Sequence, residues 1–283
     1  MIISPSAISP YKIPTFQSGG APFVGLLDLY PNAAAAYSVR RLSSTYAGSA
    51  MEVRRSSDNA LQDIGFDIDG NLDTASLLSF VGAGNGFVRT WYDQSGNGYN
   101  FQQTTTSNQP QIVASGVVDL LNFKPSISFL GNEYLSLSNP FSNANIMGFM
   151  SASLNNNSAI LECATNISFG LSNGFRFDRL SFLRFGTNKN FTFQVNTSTS
   201  QQLLSFYNNS PTNRLLAVNN TETITNGNNP INYTGVTDFY IGVTLNIANF
   251  LEGKTQEIVL YENPNISNYS AIKGDINTYF SIY

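Results

Sequence analysis

The chain has 283 residues with 14 Lys and Arg against 18 Asp and Glu, a net charge of −4, one cysteine and no histidine. That length suffices for a domain burying roughly three quarters of its unfolded surface, and the missing histidine excludes histidine ligands and every Ser-His or Cys-His catalytic arrangement. Cys163 alone excludes an internal disulfide or a thiolate cluster, and cations this sparse do not suit nucleic acid or an anionic membrane as partner.

Residues 1–25 carry Pro5, Pro10, Pro14 and Pro22, which interrupt every stretch that could serve as an export signal. They predict an extended arm whose Ile2, Ile3, Ile8, Tyr11, Ile13 and Phe16 need a surface to lie on. Residues 26–283 are expected to form a single domain. Its longest apolar runs, such as LLSF (77–80), fall far short of a membrane span.

In YPNAAAAYSVRRL (30–42) the alanines predict a first helix over about 32–43, capped by Asn32, with Tyr37, Arg40 and Arg41 on one face. A second helix is expected over 73–81, with Asp73 as N-cap and Gly82 closing it. A third, over 267–280, presents Tyr269, Ile272, Ile276, Tyr279 and Phe280 as an apolar stripe. Between them lie short aromatic and β-branched segments: AMEVR (50–54), FVRTWY (87–92), SISFL (126–130), YLSLS (134–138), AILEC (159–163), LSFLRF (180–185), FTFQV (191–195), RLLAV (214–218), DFYIGVTL (238–245) and QEIVLYE (256–262). Turn residues separate them at intervals that predict an all-β fold, a two-sheet jelly-roll sandwich with a few short helices.

Two segments offer candidate sites. DIDGNLD (67–73) spaces Asp67, Asp69, Asn71 and Asp73 at alternate positions, an oxygen-rich pattern that suits calcium. Its glycine and its twelfth position, Leu78, depart from an EF-hand, so an acidic turn ending in a helix cap stands beside the calcium reading, and no other cofactor is expected. TWYDQSGNG (90–98) reads as a structural turn, with ligand contact as the alternative. Gly96 and Gly98 take positive φ, Asp93 and Ser95 bond its amides, Trp91 and Tyr92 face opposite sides of a strand, and Asp93 is within reach of Arg41, Arg54 or Arg55 in sequence terms.

Residues 36–103 contain RRSSDNALQDIGF, with Arg54, Arg55 and Asp58, and TWYDQSGNG. This stretch resembles the amino-terminal part of the arabinofuranosidase B catalytic domain, whose fold is a concanavalin-like jelly roll. It is also similar to a block in bacteriophage structural proteins with laminin-G or concanavalin-like domains, and that likeness is the closer one. FLGNEYLSLSN (129–139) and the stretch from Gly253 to the last residue extend the resemblance.

The arabinofuranosidase likeness implies a nucleophile at Glu162. The aspartate that would act as its acid/base partner is missing from YIGVTLNIANF (240–250), and Cys163 has no neighbouring cysteine. Glu162 is therefore expected to be an ordinary strand residue, and the protein to be no enzyme. The phage likeness implies a non-enzymatic virion component, a head-decorating, fibre or tail protein assembled in the host cytoplasm. Its arm would attach to other virion proteins, its domain would form a homo-oligomer such as a trimer, and its surface would offer contact to a glycan. A cellular carbohydrate-binding module and an arabinofuranosidase-like glycoside hydrolase are the alternatives.

Overall fold

The computed structural model describes residues 22–142, 145–155, 159–164, 174–178, 200–210, 213–225, 238–243 and 250–283. A short helix, α1 (Leu26–Leu29), precedes β1 (Ala35–Ser38), β2 (Met51–Arg55) and β3 (Leu61–Ile64). Helix α2 (Thr74–Val81) leads into β4 (Gly86–Trp91), β5 (Phe101–Gln102) and β6 (Gln111–Ala114). Three short segments follow, β7 (Val117–Val118), β8 (Leu120–Leu121) and β9 (Lys124–Pro125), then β10 (Ile127–Leu130) and β11 (Leu135–Ser138). Next come β12 (Ile146–Leu154), β13 (Ala159–Ala164), β14 (Gly174–Asp178) and β15 (Gln202–Ser210). The chain closes with β16 (Asn213–Val218), β17 (Thr221–Thr225), β18 (Asp238–Ile241), β19 (Glu252–Glu262) and α3 (Tyr269–Phe280).

Among the described residues every pairing is antiparallel, and the ladders resolve into two layers. One runs β17-β16-β15-β12-β19, with β1 and β10 side by side along the other edge of β19. The other runs β3-β2-β4-β5-β11-β18-β13-β14. Strand β6 bridges them by pairing with both β4 and β10. The all-β sandwich read from the sequence is therefore the fold. Its interior is aromatic: Tyr37 of β1 lies 5.6 Å from Trp91 and 4.6 Å from Phe101, and Phe101 stacks 5.7 Å from Phe239. All four are fully buried, and tilted ring pairs at such distances add to area burial.

Two of the three expected helices form. Asp73 caps α2 by accepting the Ser76 amide at 2.9 Å, and Gly82 ends it at φ 66°. In α3, Tyr269 packs its ring 5.5 Å from Phe149 and 5.4 Å from Tyr207, so the stripe closes the core as the spacing predicts. The expected helix over 32–43 is instead strand β1, preceded by Asn32 at φ 65°. Its register runs from Ala35 opposite Leu260 to Ser38 opposite Glu257. The few tenths of a kcal/mol per residue by which alanine favours helix are outweighed by a ladder and by the complete burial of Ala35, Ala36 and Tyr37. Tyr37, Arg40 and Arg41 consequently share no helix face. Tyr37 enters the core, Arg40 enters a buried ion-pair cluster, and Arg41 lies 4.0 Å over the ring of Phe23. Residues 1–21 of the expected arm and the segments LSFLRF and FTFQV lie outside the described residues.

Candidate functional site

The TWYDQSGNG turn connects β4 to β5 and shapes the edge of an open groove. Asp93, 5% exposed, is the hub of the turn. Its Oδ1 accepts the amides of Ala36 (2.8 Å) and Ser95 (2.9 Å), and its Oδ2 accepts the Tyr99 amide (3.1 Å) and the Ser95 hydroxyl (2.7 Å). Gly96 and Gly98, at φ 89° and 80°, let the chain reverse between these bonds. Gln94 adds a second tie, accepting the Leu42 amide while donating to the carbonyls of Ser38 and Arg40. The turn thus clamps the segment 36–42, which is a strand and its continuation and not the expected helix.

The paired arginines sort differently from expectation. Among the described residues Asp93 binds three amides and the Ser95 hydroxyl, and no arginine. Arg54 donates to Gln109, Asn59 and the Thr106 carbonyl, while Arg55 forms a two-pronged pair with Asp58, whose carboxyl this contact holds down at about 2. Trp91 is buried and Tyr92, on the opposite side of the strand, donates to Asp63 at 2.8 Å. The Arg54 contacts reach the groove: Gln109 also donates to the Gln103 carbonyl, and buried Gln103 donates to the Tyr134 carbonyl and accepts the Thr105 amide.

The groove itself has a volume of about 710 Å³ and is formed by residues 98–100 and 102–105 with Tyr134, Ser136, Leu137, Ser138 and Asp238. Two of its lining residues, Gln102 and Ser136, are ladder partners across β5 and β11, and the row continues past the lining to Tyr240, opposite Ser136 across β11 and β18, and to Glu162, opposite Tyr240 across β18 and β13. Asp238, two residues before Tyr240, stands opposite Ser138. Tyr134 flanks the row, its ring 6.2 Å from Tyr240 and 6.4 Å from Phe250. Burial, chiefly, and the nearby Asp238 push the Tyr240 hydroxyl above its ordinary range, so it is a proton donor near neutral pH. Among the described residues the lining offers amides, hydroxyls, aromatic edges and one charge, Asp238, which suits a neutral polyhydroxylated ligand better than an anionic one.

The residues considered for calcium do not converge. Asp67 accepts the amides of Asp69 and Asn71, Asn71 accepts the Tyr279 hydroxyl, and Asp73 is occupied with Ser76 at the head of α2. Among the described residues no group of three His, Cys, Asp or Glu comes together to hold a metal ion. The groove was missed by sequence reasoning, because its lining comes from three separate stretches of ordinary polar residues. Only TWYDQSGNG, whose Gly98 lines it, carried a signal.

Residues 28–122 match the family model described as alpha-L-arabinofuranosidase B, catalytic. Among curated proteins no sequence matches. Similar solved structures include an arabinofuranosidase complexed with arabinofuranosyl-alpha-1,2-xylobiose, with a TM-score of 0.68 at 13% identity over 86% of this chain and 62% of that one. Others are a mutant α-L-arabinofuranosidase soaked with 4-nitrophenyl α-L-arabinofuranoside (0.67, 13%) and one soaked with a cyclic sulfate inhibitor (0.66, 14%), each over 86% of this chain and 62% of that chain. The chain thus spans about three fifths of the length of these structures, and at such identity they establish a shared fold.

These findings correct the expectation of a non-enzymatic virion component. The stretch read as a phage block, 36–103, lies inside the 28–122 match to a catalytic-domain model, and the fold likeness across most of the chain is to arabinofuranosidases. The reading of the protein as no enzyme is overturned on the same ground.

Proposed function

We propose that the chain is a glycoside hydrolase domain of the arabinofuranosidase type, taking an arabinofuranosyl-bearing glycan in the groove between residues 98–100, 102–105, Tyr134 and Asp238. The match of residues 28–122 to the catalytic-domain model carries this reading. The matched segment contains both the turn that shapes the groove and β5, whose Gln102 lines it.

Hydrolysis with retention needs two carboxyl groups about 5 Å apart. Glu162 stands opposite Tyr240 in the ladder, and Asp238 is two positions along the same strand. Residues related in this diagonal way have β-carbons about 7 Å apart or less, a spacing that Glu and Asp side chains can close. In this scheme Glu162 attacks the anomeric carbon to form a glycosyl ester while Asp238 gives its proton to the departing glycosidic oxygen. Asp238 then takes a proton from the water that attacks the same carbon, and the ester opens to regenerate the Glu162 carboxylate. The carboxyl that the sequence lacks at Thr244 to Asn246 is supplied here by Asp238, from the beginning of β18.

Release of 4-nitrophenol from 4-nitrophenyl α-L-arabinofuranoside tests the scheme. Turnover should fall by about a hundredfold or more in both Glu162→Gln and Asp238→Asn. Arabinose binding without turnover would leave a carbohydrate-binding domain in place of the hydrolase.

A further inference from the structure

Among the described residues the lining of the groove ends at β5 on one side, with Gln102. The row of ladder partners that carries Gln102 does not end there. From Ser136 and Gln102 it runs on to Thr90 of β4, Glu52 of β2 and Asp63 of β3, each directly opposite the next. Directly opposed residues point to one side of a sheet, and the residues that alternate with these, Leu135, Phe101, Trp91, Met51 and Ile64, are fully buried in the core. The row therefore crosses the outer face of the layer. From Ser136 to Asp63 it covers four strand spacings of about 4.8 Å, roughly 19 Å, which is longer than a single sugar ring.

The groups beyond Gln102 suit the same chemistry as the groove. Gln102 is exposed, and Arg89, its side chain 37% exposed, donates to Glu52 at 2.6 Å. Thr90 is buried and donates its hydroxyl to the same carboxylate oxygen at 3.2 Å. Tyr92, two residues after Thr90 and half-buried, donates to the exposed Asp63 at 2.8 Å, which fixes its ring beside the row. A guanidinium, carboxylates and an amide supply both donors and acceptors, and the phenol ring supplies an apolar face. A chain of neutral sugar rings presents hydroxyls and ring carbons in turn and can use both. An anionic polymer would instead meet the carboxylates of Asp63 and Glu52.

We infer that the groove is one end of a longer track, in which a glycan seated beside Ser136 and Gln102 continues as a chain of neutral rings over β4, β2 and β3, against Arg89, Tyr92 and Asp63. This inference rests on the groove being a sugar site, and it assigns the site an oligomeric chain as its substrate class.

Calorimetric titration with α-L-arabinofuranosides of one, three and five rings reads the track, using the full chain with Glu162→Gln so that the oligomers stay intact under the proposed mechanism. Affinity should rise about tenfold from one ring to five. Adding Arg89→Ala or Tyr92→Ser should bring the five-ring affinity close to the one-ring affinity of the same variant, and loss of the rise in either variant supports the track. No rise with length, or a rise that survives in both variants, would overturn it. The hydrolase reading fails separately. A chain that releases no 4-nitrophenol from 4-nitrophenyl α-L-arabinofuranoside but keeps the length dependence retains the track without the hydrolase, and one that turns this glycoside over with no length dependence retains the hydrolase without the track.

Discussion

Asp93 Oδ1 accepts the amide of Ala36 at 2.8 Å across 57 residues of sequence, so a turn at the end of β4 in one layer fixes the register of β1 in the other. The same carboxylate satisfies two further amides and a hydroxyl, and both layers meet the groove edge through it.

Asp93→Ala should therefore destabilise the protein by about 3 kcal/mol, because it strands several buried donors at once. Asp93→Asn, which keeps one acceptor oxygen, should cost less. Urea unfolding midpoints of the three proteins check both the size and the order.

Arg40 joins β19 to α3. It donates to Glu257 at 2.7 and 3.0 Å and to Asp275 at 2.8 Å, with Glu257 wholly buried. Arg40→Met leaves the Glu257 charge without its partner and should cost about 3–5 kcal/mol. Replacing both, Arg40→Met with Glu257→Leu, should recover a large part of that loss. Thermal or chemical denaturation of the single and double variants measures the coupling.

Stability should fall on the alkaline side. Burial raises the hydroxyls of Tyr46 and Tyr279 to about 12 and pushes those of Tyr37, Tyr261 and Tyr269 well above the ordinary tyrosine range. A group whose folded pKa exceeds its unfolded value of 10.0 contributes stability that is complete below pH 10 and is lost as pH rises toward the folded value. Tyrosinate absorbance should therefore lag behind free tyrosine from pH 10 and then rise steeply on unfolding. A titration superimposable on free tyrosine would contradict this.

The sheet strands were legible because short aromatic and β-branched runs between turn residues have few alternatives, and α2 and α3 because Asp73 and the Tyr269 to Phe280 stripe mark a cap and a face. Four successive alanines misled, since their local preference is small against the ladder that β19 offers β1. The Asp67 to Asp73 spacing suggested converging oxygens, yet in a tight turn those oxygens serve nearby amides. The groove was illegible for a different reason. Gln102, Ser136 and Tyr240 become neighbours only through strand pairing, and no local pattern distinguishes Asp238 from any other polar residue at a strand end.

Whether the chain cleaves a glycosidic bond is read most directly from the mass of the intact protein after exposure to an arabinofuranose-configured cyclic sulfate, with peptide mapping of any adduct. The proposed function predicts a single covalent label on Glu162, abolished in Glu162→Gln, in a preparation that also turns over 4-nitrophenyl α-L-arabinofuranoside. An unlabelled chain that releases no arabinose, or a label placed away from the groove of residues 98–100, 102–105, Tyr134 and Asp238, would contradict it.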